Sequence, residues 1–346
     1  MGTRATYLHL KDTTWGASIR VSVVVPTYRR PELLRRCLVA LFAQDFDPTA
    51  YEIIVADDAA CDQTQQMVAC LARRHGAPGP QLRYVRVTGN HGPAAARNAG
   101  WRAARGEIIA FTDDDCIPQS SWLRAGVAAF VNGAVGASGR VIVPLPPRPT
   151  DYERDAAGLQ RSEFVTANCF YRRDALDAAG GFDERFTMAW REDSDLFFRL
   201  LKRARTNGHE PLIHVPDAVV IHPVRPAPWG VSLRQQRKSM FNALLYKKHP
   251  QLYRQRIQPL PPWRYYLIVA ALIAGIAGRL SGYRRLATGG AGLWLALTVQ
   301  FCAMRLHRTT YTPRHILEMI VTSVLIPPLS VFWRIRGALK FRVWFF

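Results

Sequence analysis

The strand-like run Glu107-Ile108-Ile109-Ala110-Phe111-Thr112 leads straight into three adjacent carboxylates, Asp113-Asp114-Asp115. A buried strand that ends in neighbouring acids carries a repulsion that a cation between them relieves. At the carboxyl edge of a parallel sheet, where ligands of α/β folds bind, the fitting cation is Mg²⁺ or Mn²⁺ carrying phosphate oxygens. A solvated acidic turn is the plainer alternative, and the rest of the chain decides between the two.

Residues 20–116 alternate between two periodicities. Val21-Ser22-Val23-Val24-Val25, closed by Pro26, reads as a buried central strand. A helix follows from Pro31, with Leu33, Leu34, Cys37, Leu38 and Leu41 on one face. Glu52-Ile53-Ile54-Val55-Ala56 is a second strand, closed by Asp57-Asp58. A helix around 63–75, a strand at 82–87, a turn at Asn90-His91-Gly92-Pro93 and a helix at 94–105 complete the series. The alternation predicts an α/β fold with a doubly wound, mostly parallel sheet. The first turn lacks G-x-G-x-x-G, which excludes the usual dinucleotide-binding unit. The proline-rich stretch 144–160 reads as a loop over the site.

Charge divides the chain. Of 46 Lys and Arg residues, 19 lie between Arg225 and the C-terminus, where Glu318 is the single acid. Such a tail suits nucleic acid or anionic lipid, and its apolar content separates them. Leu286–Met304 holds 19 uncharged residues, Tyr265–Gly278 holds 14, and Met319–Trp333 holds 15 interrupted by Pro327-Pro328. Cations and aromatics such as Trp263, Tyr283 and Trp333 flank these runs, as a membrane interface selects. The expectation is contact with anionic headgroups and not with nucleic acid. Only 286–304 approaches spanning length, so a hairpin of two spanning segments with a third in the interface is expected; buried helices of a soluble domain are the alternative. Basic residues in every loop, including Arg279, Arg284 and Arg285, leave the orientation unassigned.

The predicted division is an N-terminal extension (1–19), a catalytic domain (20–225), a basic helical linker (226–262) and a hydrophobic membrane-associated region (263–346). Six scattered cysteines without C-x-x-C spacing suit a reducing compartment. Residues 1–20 lack the apolar core of a signal peptide, and Gly2 fits the myristoylation pattern in form.

A second acidic stretch, Trp190-Arg191-Glu192-Asp193-Ser194-Asp195, opens a helix that continues through Leu196-Phe197-Phe198. One acid suffices to cap a helix. Three in four residues leave one to face a cleft as a general base.

Together these segments resemble family 2 glycosyltransferases, the inverting GT-A class. The resemblance rests on Val23-Val24-Val25-Pro26-Thr27-Tyr28, Ile54-Val55-Ala56-Asp57-Asp58, Asn90–Gly100, Phe111–Asp115, Gly180-Gly181-Phe182-Asp183-Glu184 and Glu192–Leu196, in the family's order. It implies that Pro26, Thr27, Tyr28 and Asp58 hold the nucleoside of a UDP-, GDP- or dTDP-sugar; Tyr28 either stacks on the base or packs on the sheet. It implies that Asp113 and Asp115 form a D-x-D pair with Mn²⁺ or Mg²⁺ on Asp115, and that Asp113 and Asp114 face ribose or metal. Asp193 is the implied base, with Glu192 and Asp195 in support. His222 either completes the metal shell or ends its strand as a turn residue, and His214 has a weaker claim. Arg97 and Asn98 either organise the site or are polar residues of a helix face.

The chain departs from the family pattern at Ala59-Ala60, where Gly-Ser is common, and at Cys116, where a further Asp is common. The Q-x-x-R-W signature of processive synthases is missing from Arg234–Ser239, which points to transfer of a single sugar to a lipid-linked or glycan acceptor. That basic segment either grips the donor diphosphate or an acceptor lipid phosphate, or is an interfacial helix facing anionic headgroups. The expected setting is the cytosolic face of a membrane. A non-catalytic scaffold or sugar-nucleotide sensor is the alternative; a nucleotidyltransferase would call for a glycine-rich phosphate loop that Arg29-Arg30 does not supply.

Overall fold

β-Branched residues buried on both faces make the central strands. A computed structural model describes residues 19–76, 79–207 and 212–345; Gly2 and all but the last residue of the expected 1–19 extension lie outside them. In β1 (Val21–Thr27) and β2 (Tyr51–Asp57) every residue is buried. Val23 and Val25 point toward α1 (Pro31–Phe42), meeting Leu34, Leu38 and Leu41, while Val24 joins Ile54 in the core on the opposite face. The chain continues through α2 (Asp62–Arg74), β3 (Gln81–Arg86), α3 (Pro93–Ala103) and β4 (Ile108–Phe111). β3, β2, β1 and β4 pair in parallel, as the alternation predicts.

Beyond β4 the sheet turns mixed. After β5 (Ile117–Pro118), α4 (Trp122–Ala128), β6 (Gly136–Ile142) and α5 (Asp151–Ala156), β7 (Cys169–Arg172) inserts antiparallel between β4 and β6. α6 (Arg173–Ala179) and α7 (Glu192–Asn207) lead to β8 (Leu212–Ile221), which runs parallel to β6 and antiparallel to β5. The eight described strands order β3-β2-β1-β4-β7-β6-β8-β5. The four-residue β7 and two-residue β5 are too short to show a periodicity.

The basic segment folds into α8 (Val231–Gln235), a single 3₁₀ turn (Gln236–Ser239), α9 (Met240–Lys248) and α10 (Pro250–Arg256). Three long helices complete the chain: α11 (Trp263–Leu280), α12 (Arg284–Leu306) and α13 (Pro313–Phe341). All three are long and apolar enough to cross a membrane. Their outward faces expose Leu267, Ile273, Leu280, Leu293 and Leu339, a surface that water disfavours and lipid accepts. α11 and α12 approach through glycine: a Cβ on Gly290 would lie 2.4 Å from the Gly275 nitrogen.

Two expectations are corrected here. Pro327-Pro328 does not break the third apolar run, because α13 continues through both for 29 residues. Apolar helices tolerate proline where packed neighbours or hydroxyl side chains can re-satisfy the carbonyls that it frees. Nor is 144–160 wholly a loop. Thr150 and Glu153 form a capping box that starts α5, and a 3₁₀ turn at Ala157–Arg161 follows.

That short helix couples the sheet to the three long apolar helices. Arg305, on α12 and 7% exposed, donates from Nε (3.0 Å) and Nη2 (2.8 Å) to Asp151 of α5. Its Nη1 reaches Thr322 (2.6 Å) and Ser323 (3.1 Å) of α13. On the other side, Gly337 of α13 lies so close to α9 that a Cβ there would sit 2.5 Å from the Met240 oxygen. Replacing Asp151 with Ala would strand a buried guanidinium at a cost of ~3–5 kcal/mol. The D151A protein should therefore unfold several degrees below wild type in detergent, and an unchanged midpoint would show that this clamp does not hold the two parts together.

Candidate active site

Arg97 is the hub. It projects from α3, 3% exposed, and forks between two acids that come from distant parts of the chain. Nη2 donates to Asp113 Oδ1 at 2.8 Å and Nη1 to Glu192 Oε1 at 2.8 Å. Burial opposes its charge, but Asp113 and Glu192 hold its proton more firmly than water would. The end of β4 and the start of α7 are thereby fastened together.

The three strand-end acids have three different environments. The Asp113 side chain is 27% exposed; burial would raise its pKa, yet Arg97, His222 and Arg225 outweigh this and hold it below the usual range. Asp114 is 2% exposed and turned inward. It accepts from Thr27 Oγ1 at 2.8 Å and from Arg30 at 3.2 Å, while burial pushes it up to about 6. Asp114 thus buttresses the loop after β1 with both oxygens engaged and no exposed face for a ribose, which differs from its expected place. Asp115 pairs through Oδ2 with Arg225 Nε at 2.9 Å and lies 3.6 Å from His222 Nε2.

Asp115, Cys116 and His222 each bring one potential ligand atom within 4.8 Å of the others. An imidazole and a carboxylate, with Asp113 beside them, fit Mn²⁺ or Mg²⁺. The Cys116 thiol is buried, and burial followed by Asp113 and Asp115 raises its pKa, so it stays protonated and is a poor ligand.

At the start of α7, Glu192 is 3% exposed and pushed up to about 7, by burial first and by Asp193 against the pull of Arg97. Asp193 is also raised, chiefly by burial. Its Oδ1 accepts from the Ser194 backbone (2.6 Å) and hydroxyl (3.2 Å), and Oδ2 has no partner among the described residues. Three carboxylates around one guanidinium favour keeping one proton, so Glu192 and Asp193 titrate as a pair. Asp195, 0% exposed, points elsewhere, to Arg199 (2.9 Å), Lys248 (2.6 Å) and His249 (3.0 Å). The preceding glycine turn is pinned by Asn98, which accepts from the Phe182 nitrogen and donates to the Phe182 oxygen and Glu184. Gly181 has φ 70°, and a Cβ there would meet Asn98 Oδ1 at 2.6 Å.

On the other flank, Pro26 and Thr27 are buried while Tyr28 is 50% exposed. Asp58 accepts from the Gly92 nitrogen (2.9 Å) and contacts His91 (3.0 Å), drawing together the ends of β2 and β3. Asp57 is spent on its own turn, binding the Ala59 and Cys61 nitrogens and the Tyr84 hydroxyl. His214 is remote from this cluster in its bonding and faces Ser138 at 3.3 Å.

Sequence reasoning missed Arg225, and it reached Lys238 only as one member of the basic segment Arg234–Ser239. A cation three residues after His222 was a faint signal for Arg225, and nothing in the sequence singled Lys238 out from the other cations of its segment. Burial lowers the pKa of Lys238, with Glu192, Arg225 and Asp155 as its charged neighbours.

The open mixed sheet with a strand-end acid cluster defines a GT-A fold. The family model "Glycosyl transferase family 2" matches residues 22–194, and "Glycosyl transferase family group 2" matches 154–335. The chain belongs to the family 2 glycosyltransferases. Glycosyltransferase AglE of Haloferax volcanii is 30% identical over 226 residues, covering 62% of this chain and 70% of that protein. Pre-mycofactocin glycosyltransferase of Mycobacterium tuberculosis is 28% identical over 60% of this chain, which spans 44% of that longer protein. The mannosyltransferase PcManGT from Pyrobaculum calidifontis, solved with GDP-Man and Mn²⁺, shares the fold with TM-score 0.53 at 19% identity, over 93% of this chain and 87% of its own.

A carboxyl whose folded pKa exceeds its unfolded value stabilises the fold only while protonated, and that contribution is lost as pH rises through the interval. For Glu192 the interval runs from 4.5 to about 7. Wild type should lose stability relative to Glu192→Gln between these values, read as urea midpoints at about pH 5 and about pH 8. A gap that stays constant would contradict the raised pKa.

Proposed function

We propose that this chain is an inverting, metal-dependent glycosyltransferase that moves one sugar from a nucleotide-diphospho-sugar to the hydroxyl of a lipid-linked or glycan acceptor. The observation that carries the reading is the Arg97 fork, which sets the strand-end acids and the acids of α7 at one site. Thr27, Tyr28 and Asp58 line the side that receives the nucleoside. Asp115, His222 and Asp113 would hold Mn²⁺ or Mg²⁺, which would supply positive charge to neutralise the diphosphate leaving group. Arg225 is released from Asp115 to the donor phosphates.

Asp193 accepts the proton of the acceptor hydroxyl as that oxygen attacks the anomeric carbon from the face opposite the nucleotide. One carbon–oxygen bond forms while the bond to phosphate breaks, and the electron pair leaves with the nucleoside diphosphate. The configuration inverts and no enzyme nucleophile takes part. The raised pKa of Asp193 suits a group that must keep the proton it takes. Glu192 and Arg97 position it without touching the reacting atoms. Residues 20–225 act as the transferring unit, joined through the basic 226–262 segment to a membrane region at 263–346. The six unpaired thiols support a catalytic unit on the cytosolic side.

The test is binding and slow hydrolysis of UDP-, GDP- and dTDP-sugars by the full chain in lipid, with Mn²⁺, Mg²⁺ or EDTA. Metal-dependent binding of one donor is expected; silence across the panel by folded protein would count against the reading. Asp193→Asn should lower turnover by ~10²–10⁴ while donor affinity is kept. Asp115→Ala should abolish the metal-dependent part of donor binding. Donor affinity lost in D193N, or metal dependence kept in D115A, would remove those two assignments.

A further inference from the structure

Two cations stand beside the candidate base without an ion pair of their own. Arg191 immediately precedes Glu192 and has φ 77°, a left-handed conformation that a long side chain adopts only under constraint. Its guanidinium carbon lies 4.5 Å from the centre of the Trp190 ring, and Nε donates to Asn242 of α9 at 2.8 Å. Trp190 Nε1 donates to the same Asn242 oxygen at 3.1 Å. Lys238 Nζ lies 5.8 Å from the same ring. Among the described residues neither Arg191 nor Lys238 comes within 4.0 Å of a carboxylate, although both are half-buried. Burial disfavours each cation; Asp193 and Glu192 offset this for Arg191, and Glu192 and Asp155 for Lys238, only at a distance, so two half-buried cations without a contact ion pair suit an anion from outside the chain.

The position says which anion. Arg191 and Asp193 are two residues apart at the entrance of α7, so the site adjoins the base. Lys238 sits in the 3₁₀ turn between α8 and α9, the segment that packs on α13. Within that turn Arg237 lies 5.8 Å from the Trp333 ring of α13, and α9 meets Gly337 at backbone distance. The two cations thus lie between the base and a helix long and apolar enough to cross a membrane. A phosphate tethered to an apolar chain reaches this place from the bilayer. The donor diphosphate belongs instead beside Asp113, Asp115 and Arg225.

We propose that Arg191 and Lys238, flanking Trp190, are the acceptor's phosphate site, so that the acceptor is a phosphate-bearing lipid whose sugar or headgroup hydroxyl faces Asp193. This deepens the function proposed above and rests on its placing of Asp193. Asn242 is a positioning residue, holding Arg191 and Trp190 with one oxygen.

The test uses the full chain in neutral nanodiscs and measures, by calorimetry, binding of decyl phosphate, decanol and inorganic phosphate, alongside the nucleotide-sugar panel. Charge-assisted hydrogen bonds from two cations predict decyl phosphate tighter than decanol by ~10–100-fold. Arg191→Gln and, on a separate element, Lys238→Gln should each erase most of that preference with nucleotide-sugar affinity within about twofold of wild type. Equal binding of decyl phosphate and decanol, or a preference that survives both substitutions, would overturn the proposal. So would variants that lose nucleotide-sugar affinity instead, because the cations would then serve the donor. Inorganic phosphate binding as tightly as decyl phosphate would reduce the site to a simple anion trap and overturn its lipid part. A wild type that prefers decyl phosphate but binds no nucleotide sugar would overturn the transferase reading and leave the phosphate site standing.

Discussion

One buried guanidinium makes the rest of the site coherent. Arg97 occupies the junction of three elements, and its two hydrogen-bonded nitrogens end on the part-exposed Asp113 and on Glu192, which would otherwise be buried unpaired. Removing such a partner leaves charge stranded in a low-dielectric interior, a cost of ~3–5 kcal/mol. The fork also sets the electrostatic inventory. Asp113 is held as the ion beside the cation site, while Glu192 and Asp193 share the burden of retained protons. Arg97 pulls both of its acids toward the ion, but burial and the neighbouring Asp193 outweigh it at Glu192 and not at Asp113, so the two carboxyls acquire opposite tendencies.

A second constraint is mechanical. α13 contributes Ala338 to the core that also holds Phe198, Phe241 and Leu244, while its earlier turns pack on α12 through Arg305. Glu318, the lone acid of the C-terminal region, accepts from the Gly230 nitrogen at 2.7 Å. Gly230 closes the irregular stretch that begins at His222 and carries Arg225 to Asp115. The last long apolar helix is thereby bonded to the segment that bears two of the residues around the candidate cation site. An ionisable group on such a helix is costly unless it is engaged.

Much was legible in the chain itself. Val21–Val25, Ile53–Ala56 and Ile108–Phe111 are apolar runs whose period and bounding carboxylates identify parallel strands, and their order announces the fold. Asp113, Asp115 and Asp193 stand out because adjacent acids at a strand end or helix start are costly without a purpose. Other features were not legible. β7 and β5 have too few residues to carry a period, and Thr150-x-x-Glu153 lies within a proline-rich stretch that masks its capping box. Asp114 looked like its neighbours in sequence and differs only because its side chain turns inward to Thr27.

The sequence by itself determined the strand–helix alternation, the family of the chain, the acids of the site and the apolar, basic character of its end, because periodicity and composition are local quantities. Only the tertiary structure decided which acids lean toward the ion, which are spent on turns, and that Arg97 and Arg225 converge on them from separate elements. It also decided that α13 belongs to both the core packed on the sheet and the group of three long apolar helices. Convergence of side chains 16 to 110 residues apart depends on how layers stack, such as Arg97 on Asp113 and Arg225 on Asp115. No local pattern in the chain records that stacking.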